Sequence, residues 1–153
     1  MDRSAIKNIL PHREPMLLID DVELEGDTSA GRYTVRGDEF FLQGHFPGNP
    51  VVPGVILCEM MAQSACLLVN PGGKKYTPYF TGLKNVKFKN KVVPGDTITF
   101  KSQLTSRKGA FYFVKCDGHV GGKLCVRGEL SFAVELHPAH PIKAVAAAPP
   151  SGR

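Results

Sequence analysis

His45 lies in the run Gly44-His45-Phe46-Pro47-Gly48-Asn49-Pro50, and fourteen residues later Glu59 interrupts an otherwise apolar segment. An imidazole held by a loop and a carboxylate in an apolar helix are the two groups needed to move a proton and expel water. Glu59 has Ile56, Met60, Met61 and Ala62 around it. Burying it charged is costly, so desolvation is expected to raise its pKa and keep it a proton donor near neutral pH. Gln63 follows at i+4, on the same helical face. The ordinary alternative is a buried glutamate paired with a lysine or a backbone amide, and residue type alone leaves both open. His45 alone is equally open, because loop histidines are usually surface or structural groups. Its neighbours argue for placement: Pro47, Pro50 and Pro53 stiffen the loop, and Gly44, Gly48 and Gly54 permit tight turns. Gly54 opens the next helix, where backbone N–H groups point outward and the dipole is positive. A carbonyl oxygen gaining negative charge fits there. So does a plain turn glycine with no ligand.

The elements that must position these groups follow from pattern. Ser4 is placed to cap a short helix through Leu10, stopped by Pro11. Met16 to Ile19 reads as a short apolar strand and Ala30 to Val35 as a second, after the turn signal Gly26-Asp27. Residues 36–52 show no helical or strand period and hold three glycines and two prolines; a loop this long in a compact domain is usually functional. Pro53-Gly54 then opens a helix expected to reach Val69 and to close at Asn70-Pro71-Gly72-Gly73. Apolar residues cover every face of it, which predicts a buried helix.

Only strand patterns follow. Val86 and Phe88 alternate with lysines. Ile98, Phe100 and Leu104 alternate with Thr99, Lys101 and Gln103. Ala110 to Cys116 is aromatic, and Leu124, Val126, Leu130, Phe132 and Val134 share one face of the last strand. Gly118 and Gly121-Gly122 mark the turn before it. One central helix facing five or six mostly antiparallel strands is the economical α+β arrangement. This domain is expected to span residues 1–136. Residues 137–153 dissolve into proline and alanine and read as a disordered tail.

The chain has 153 residues and a formal charge of +5, with a pI near 9.1 and a mean hydropathy of −0.10. That is one domain with a sizeable core and a preference for acidic partners. No recognition motif supports nucleic acid. The longest apolar run, Val51 to Val69, contains Glu59, Gln63 and Ser64 and suits a core better than a bilayer. No secretory h-region precedes it, so the expected address is cytoplasmic. Cys58, Cys66, Cys116 and Cys125 have no zinc spacing and are expected to be free, buried thiols; no metal is expected.

The stretch from Gly44 through Val55, with Glu59 and Ala62-Gln63, closely resembles the 3-hydroxyacyl-[acyl-carrier-protein] dehydratases of bacterial fatty acid synthesis. Two more blocks match: Leu10-Pro11-His12-Arg13-Glu14-Pro15-Met16-Leu17-Leu18-Ile19-Asp20, and Lys87-Phe88-Lys89 through Val93-Pro94-Gly95-Asp96. The resemblance runs from about Ile6 to Glu135. It implies the hot-dog fold, a long helix wrapped by a curved antiparallel sheet. It implies a homodimer whose sites each take His45 from one subunit and Glu59 from the other; many members join three dimers in a hexamer. By the same resemblance His45 removes the proton next to a thioester, the Gly54 amide holds the oxyanion, and Glu59 protonates the departing 3-hydroxyl, directly or through water. No cofactor is implied. Tyr79 matches a gate to the acyl tunnel, and Gln63 lies beside that tunnel. A plain strand tyrosine is the alternative. Met60, Met61, Phe80, Val86 and Phe88 are tunnel-lining candidates, more often simple core.

Lys84, Lys87, Lys89 and Lys91 form a basic comb, to which Arg13 and Arg107 are candidates to contribute. It suits docking of an acidic acyl carrier protein, and equally a solvated strand edge. His12 has no evident partner and reads as structural; His119, His137 and His140 receive no role. Two other classes remain. A hot-dog thioesterase acting on acyl-coenzyme A needs a carboxylate but not the His-Phe-Pro loop. A non-catalytic acyl-thioester sensor on the same fold predicts loss of the histidine or the glutamate, and both are present.

Overall fold

The structure is a computed structural model that describes residues 1–69 and 74–137. The tail and the expected helix stop at Asn70-Pro71-Gly72-Gly73 lie outside the described residues. The elements are α1 (Arg3–Ile6), β1 (Asp21–Glu25), β2 (Thr28–Thr34), α2 (Gly54–Ser64), β3 (Tyr76–Phe88), β4 (Thr97–Lys108), β5 (Phe111–Val120) and β6 (Lys123–Leu136), with a 3-10 turn at Phe40–Leu42. The six strands form one sheet in the order β1-β2-β4-β5-β6-β3. Every neighbouring pair is antiparallel. A single long helix on such a sheet is the α+β hot-dog arrangement.

Side-chain alternation explains the sheet's inner face. Ile98 and Phe100 of β4, Tyr112, Val114 and Cys116 of β5, and Val126, Leu130 and Phe132 of β6 are buried against the helix. From the helix come Leu57, Met60 and Met61. Burial of each such side chain stabilises by about 1.5–3 kcal/mol relative to exposure. The helix and sheet meet closely at Gly31, where an added Cβ would sit 2.7 Å from the Ser64 Cβ and the Ile19 Cδ1.

The structure corrects several expectations. Asp2, not Ser4, caps the first helix; its Oδ1 accepts from the Ala5 amide at 2.9 Å, and the helix ends at Ile6. Met16 to Ile19 is not a strand. The first strand is Asp21–Glu25, whose single buried residue is Val22. β3 starts at Tyr76, ten residues before the lysine-alternating stretch at Val86. α2 stops at Ser64 and its last turn gives way to turns through Val69. Nor is α2 buried all round. Val55 is 76% exposed, and Ile56, Glu59 and Ala62 are half-buried on the same stripe. The sheet buries one side of the helix, and among the described residues the other side is only partly covered.

The four cysteines are free and buried. Burial pushes the Cys66 and Cys116 thiols up to about 12. Thiols so raised stay protonated and unreactive. Among the described residues no helix is long and apolar enough to cross a membrane.

Candidate active site

The loop carrying His45 is closed by its own backbone. The Phe46 and Asn49 amides and carbonyls bond reciprocally at 3.0 and 2.9 Å, and Val51 N–H donates to the His45 carbonyl at 2.9 Å. Val52 N–H then anchors the strand-like exit on the Val92 carbonyl at 2.9 Å. The imidazole is fixed by the same turn. Its Nδ1 lies 2.8 Å from the Val51 carbonyl oxygen. A carbonyl only accepts, so Nδ1 carries the hydrogen and the lone pair of the neutral ring sits on Nε2. The ring stacks on Phe46 at 4.1 Å between centroids.

His45 opens onto a broad cavity of about 620 Å³ that it shares with Val51, Gly54, Val55, Leu57, Phe88, Lys89 and Lys91. Gly54 is the first residue of α2, so its amide has no acceptor within the helix. Phe88 lies against it: an added Cβ would stand 2.9 Å from the ring's Cζ, so the ring would have to shift. Imidazole lone pair, unspent helix-start amide and apolar wall therefore meet in one cavity.

Glu59 faces a different cavity. It lies one and a half turns further along α2, beside Leu10, His12, Ala62, Gln63, Pro78, Phe80 and Phe132, around a small space of about 60 Å³. Gln63 Nε2 donates to Glu59 Oε1 at 2.9 Å. The same carboxamide takes the Leu18 N–H at 2.7 Å and donates to the Met16 carbonyl at 2.8 Å. Here is the reason Met16 to Ile19 forms no ladder: its Leu18 N–H and Met16 carbonyl pair with this buried side chain, and its Leu17 and Ile19 carbonyls with the Arg3 guanidinium. His12 Nε2 also lies 3.2 Å from Glu59 Oε1.

The expected upward pKa shift of Glu59 is therefore corrected. Burial does push it up and is the largest single influence, but hydrogen bonds from His12 and then Gln63 outweigh it and hold the carboxyl below its usual range. Donors aimed at the ionised form favour that form. His12, expected to be without a partner, is a neighbour of Glu59. The two are forty-seven residues apart in the chain, and the Leu10-to-Asp20 motif was the only sequence signal pointing to it.

Within one chain His45 and Glu59 line separate cavities. Gly54 joins His45, and Gln63 joins Glu59. Tyr79 lines neither; alternation on β3 points it away from Pro78 and Phe80, and its hydroxyl donates to Glu135 Oε2 at 3.1 Å. The four lysines are exposed but do not form an even comb. A register shift with Asn85 at φ 53° separates Lys84 from Lys87. Only Lys89 and Lys91 reach the His45 cavity. Arg13 lies outside the comb: its guanidinium is bound to the Leu10, His12 and Lys7 carbonyls. Arg107 bonds the Gly109 carbonyl and stacks over Tyr112 at 4.8 Å. Among the described residues no group of three or more His, Cys, Asp or Glu could hold a metal ion.

Comparison with known proteins gives consistent matches. The ApeI-like family model, described as ApeI dehydratase, matches residues 21–129. The 3-hydroxyacyl-[acyl-carrier-protein] dehydratase FabZ of Caldicellulosiruptor saccharolyticus is 43% identical over 138 residues, covering 88% of this chain and 99% of that protein. FabZ of Clostridium perfringens is 41% identical over 137 residues, with 88% and 99% covered. Among solved structures, the dehydratase heterocomplex ApeI:P from Xenorhabdus doucetiae superposes with a TM-score of 0.72 at 21% identity, covering 84% of this chain and 89% of that one. That likeness is one of fold.

Proposed function

We propose that this chain, which belongs to the 3-hydroxyacyl-[acyl-carrier-protein] dehydratase family, converts (3R)-3-hydroxyacyl-[acyl-carrier-protein] to the trans-2-enoyl thioester and water in fatty acid biosynthesis. One observation carries the reading: the Val51 carbonyl fixes His45 with its lone pair on Nε2, in the cavity that also holds the Gly54 amide. A base and an oxyanion donor side by side suit removal of a proton next to a carbonyl.

In this reading His45 Nε2 takes the α-proton and the Gly54 N–H holds the thioester oxygen as charge gathers there. The C–O bond at carbon 3 breaks as the hydroxyl takes a proton from Glu59, directly or through water, and water leaves. His45 has then gained one proton and Glu59 has lost one; exchange with solvent resets both. Glu59 is held ionised in the single chain, so it must gain its proton on closure of the site. Covering by a partner subunit and an acyl chain deepens the desolvation that already pushes it up. Gln63 is assigned to the acyl tunnel, with Phe80 beside Glu59 as its wall; Tyr79, which lines neither cavity within one chain, is assigned to the gate that a partner subunit completes. No cofactor takes part.

The pairing of sites is assigned to a homodimer, with hexamers as trimers of dimers. Two features support this: the half-covered stripe Val55, Ile56, Glu59 and Ala62 on α2, and the exposed edge strand β3 with Tyr79, Phe80, Leu83 and Phe88. An unpartnered edge with an apolar face favours a second chain. Lys84, Lys87, Lys89 and Lys91 are assigned to docking the acidic carrier, in the cytoplasm.

The test is turnover of a 3-hydroxyacyl carrier protein, following enoyl absorbance and free thiol together. Enoyl formation that is lost in His45→Ala and in Glu59→Gln, both still folded, is the expected result. Free thiol without enoyl absorbance would assign the chain to thioester hydrolysis instead.

A further inference from the structure

His12 is a buried-side partner of Glu59 that the elimination chemistry does not itself require. Its Nε2 stands 3.2 Å from Glu59 Oε1, the same oxygen that takes the Gln63 donor at 2.9 Å. Its Nδ1 is buried and has no hydrogen-bond partner among the described residues. An ionised carboxylate only accepts, so the nitrogen facing it, Nε2, bears the hydrogen and His12 is the donor. Its backbone is held for that purpose: Pro11 precedes it, and the Arg13 guanidinium bonds the Leu10 carbonyl at 3.0 Å, the His12 carbonyl at 2.7 Å and the Lys7 carbonyl at 3.1 Å.

Both donors land on one oxygen. Among the described residues neither His12 nor Gln63 donates to Oε2. We propose that His12 is a positioning residue: with Gln63 it occupies Oε1 of Glu59, fixes the carboxyl plane, and leaves Oε2 as the oxygen that hands the proton to the substrate hydroxyl. This rests on the dehydratase reading of the site. Two hydrogen bonds on one oxygen remove the carboxyl's freedom to flip, and a misplaced proton donor slows a reaction without weakening substrate binding.

The variants follow from shape. His12→Gln puts an amide N–H where Nε2 stands and has no counterpart of Nδ1. His12→Leu fills similar volume and removes the donor. His12→Asn keeps an amide but is too short to reach Glu59. Full-length enzyme is assayed with a 3-hydroxyacyl carrier protein. His12→Leu and His12→Asn should lower kcat about 10- to 100-fold, with KM within about threefold of wild type. His12→Gln should recover to within about fivefold of wild-type kcat. If His12→Leu does not fold, the Asn and Gln pair carries the test. Wild-type kcat in the donor-less variants overturns the proposal. So does a folded His12→Gln as slow as His12→Asn, since a donor alone would then not suffice. His45→Ala and Glu59→Gln run beside them. Full activity in those two would remove the dehydratase site itself, whereas their inactivity together with an unaffected His12→Leu would remove only the role of His12.

Discussion

The Gln63 carboxamide ties α2 to the segment 16–18: its Nε2 holds Glu59 Oε1 at 2.9 Å while its Oε1 takes the Leu18 amide at 2.7 Å. Gln63 is 1% exposed, so its polar atoms have no recourse to water. Gln63→Leu should strand the Leu18 N–H and the Met16 carbonyl in the interior. The expected loss is about 3 kcal/mol of unfolding free energy, from two buried groups at about 1–3 kcal/mol each. A urea midpoint unchanged from wild type would show that the segment 16–18 finds other partners.

Gly54 and Phe88 make a second coupled pair. A Cβ at residue 54 would come within 2.9 Å of the Phe88 ring. That ring is 53% exposed, so it has room to swing. Gly54→Ala should therefore change stability by less than about 1 kcal/mol. The displaced ring enters the cavity shared with His45 and should lower turnover about tenfold. In a Phe88→Ala background the same substitution should cost little. A double-mutant cycle on kcat/KM measures the coupling, and strict additivity would mean that Gly54 acts through something other than the ring.

The pattern of residues foretold most of this frame. The β5–β6 hairpin was legible because Gly121-Gly122 breaks two alternating runs, and α2 because Pro53-Gly54 opens a long apolar stretch. The segment Met16 to Ile19 was misread for a physical reason. Its alternation is real, since Leu18 joins the main core while Leu17 and Ile19 join the smaller cluster with Ile6 and Leu10. What satisfies its backbone is Gln63, forty-five residues after Leu18, together with Arg3, and no local period reveals either. Glu59 shows the same limit. Its desolvation and its Gln63 neighbour at i+4 were readable, but His12 was not, because it arrives from a distant loop. The open stripe on α2 was hidden because an apolar residue left exposed looks, in the sequence, like one facing its own sheet.

The lowered pKa of Glu59 has a consequence for stability. Its folded-state value lies below the usual 4.5 because hydrogen bonds from His12 and Gln63 outweigh burial. A depressed carboxyl contributes stability that is present above the unfolded value and is lost as pH falls through the folded one. Wild type should therefore hold an advantage over Glu59→Gln at pH 6–7 that shrinks below about pH 4.5. Denaturant midpoints of both proteins across that range check it. A gap that widens toward acid would mean that the carboxyl is raised, not lowered.

Lys89 and Lys91 line the His45 cavity, whereas Lys84 lies beyond the bulge at Asn85. If an acidic carrier docks at the cavity mouth, the nearer lysines should matter more. Lys89→Glu with Lys91→Glu should raise KM for carrier-bound substrate about tenfold and leave a small pantetheine thioester unaffected. The KM of wild type for the carrier-bound form should rise with salt, and that of the double variant should respond less. Equal effects on both substrates would place these lysines in the acyl site, not at the carrier.

His45 and Glu59 occupy separate cavities of one chain, at different points along α2. A reaction that uses both requires either a large internal rearrangement or a second chain. The half-covered helix and the unpaired edge of β3 favour the second chain. Two inactive variants then become complementary. Mixed dimers of His45→Ala with Glu59→Gln contain one site with both defects and one with neither. After full subunit exchange half of the dimers are mixed, so about a quarter of wild-type activity should return. Exchange is followed independently by mass spectrometry of differently tagged subunits. Complete exchange with no recovered activity would show that each chain supplies both groups of its own site.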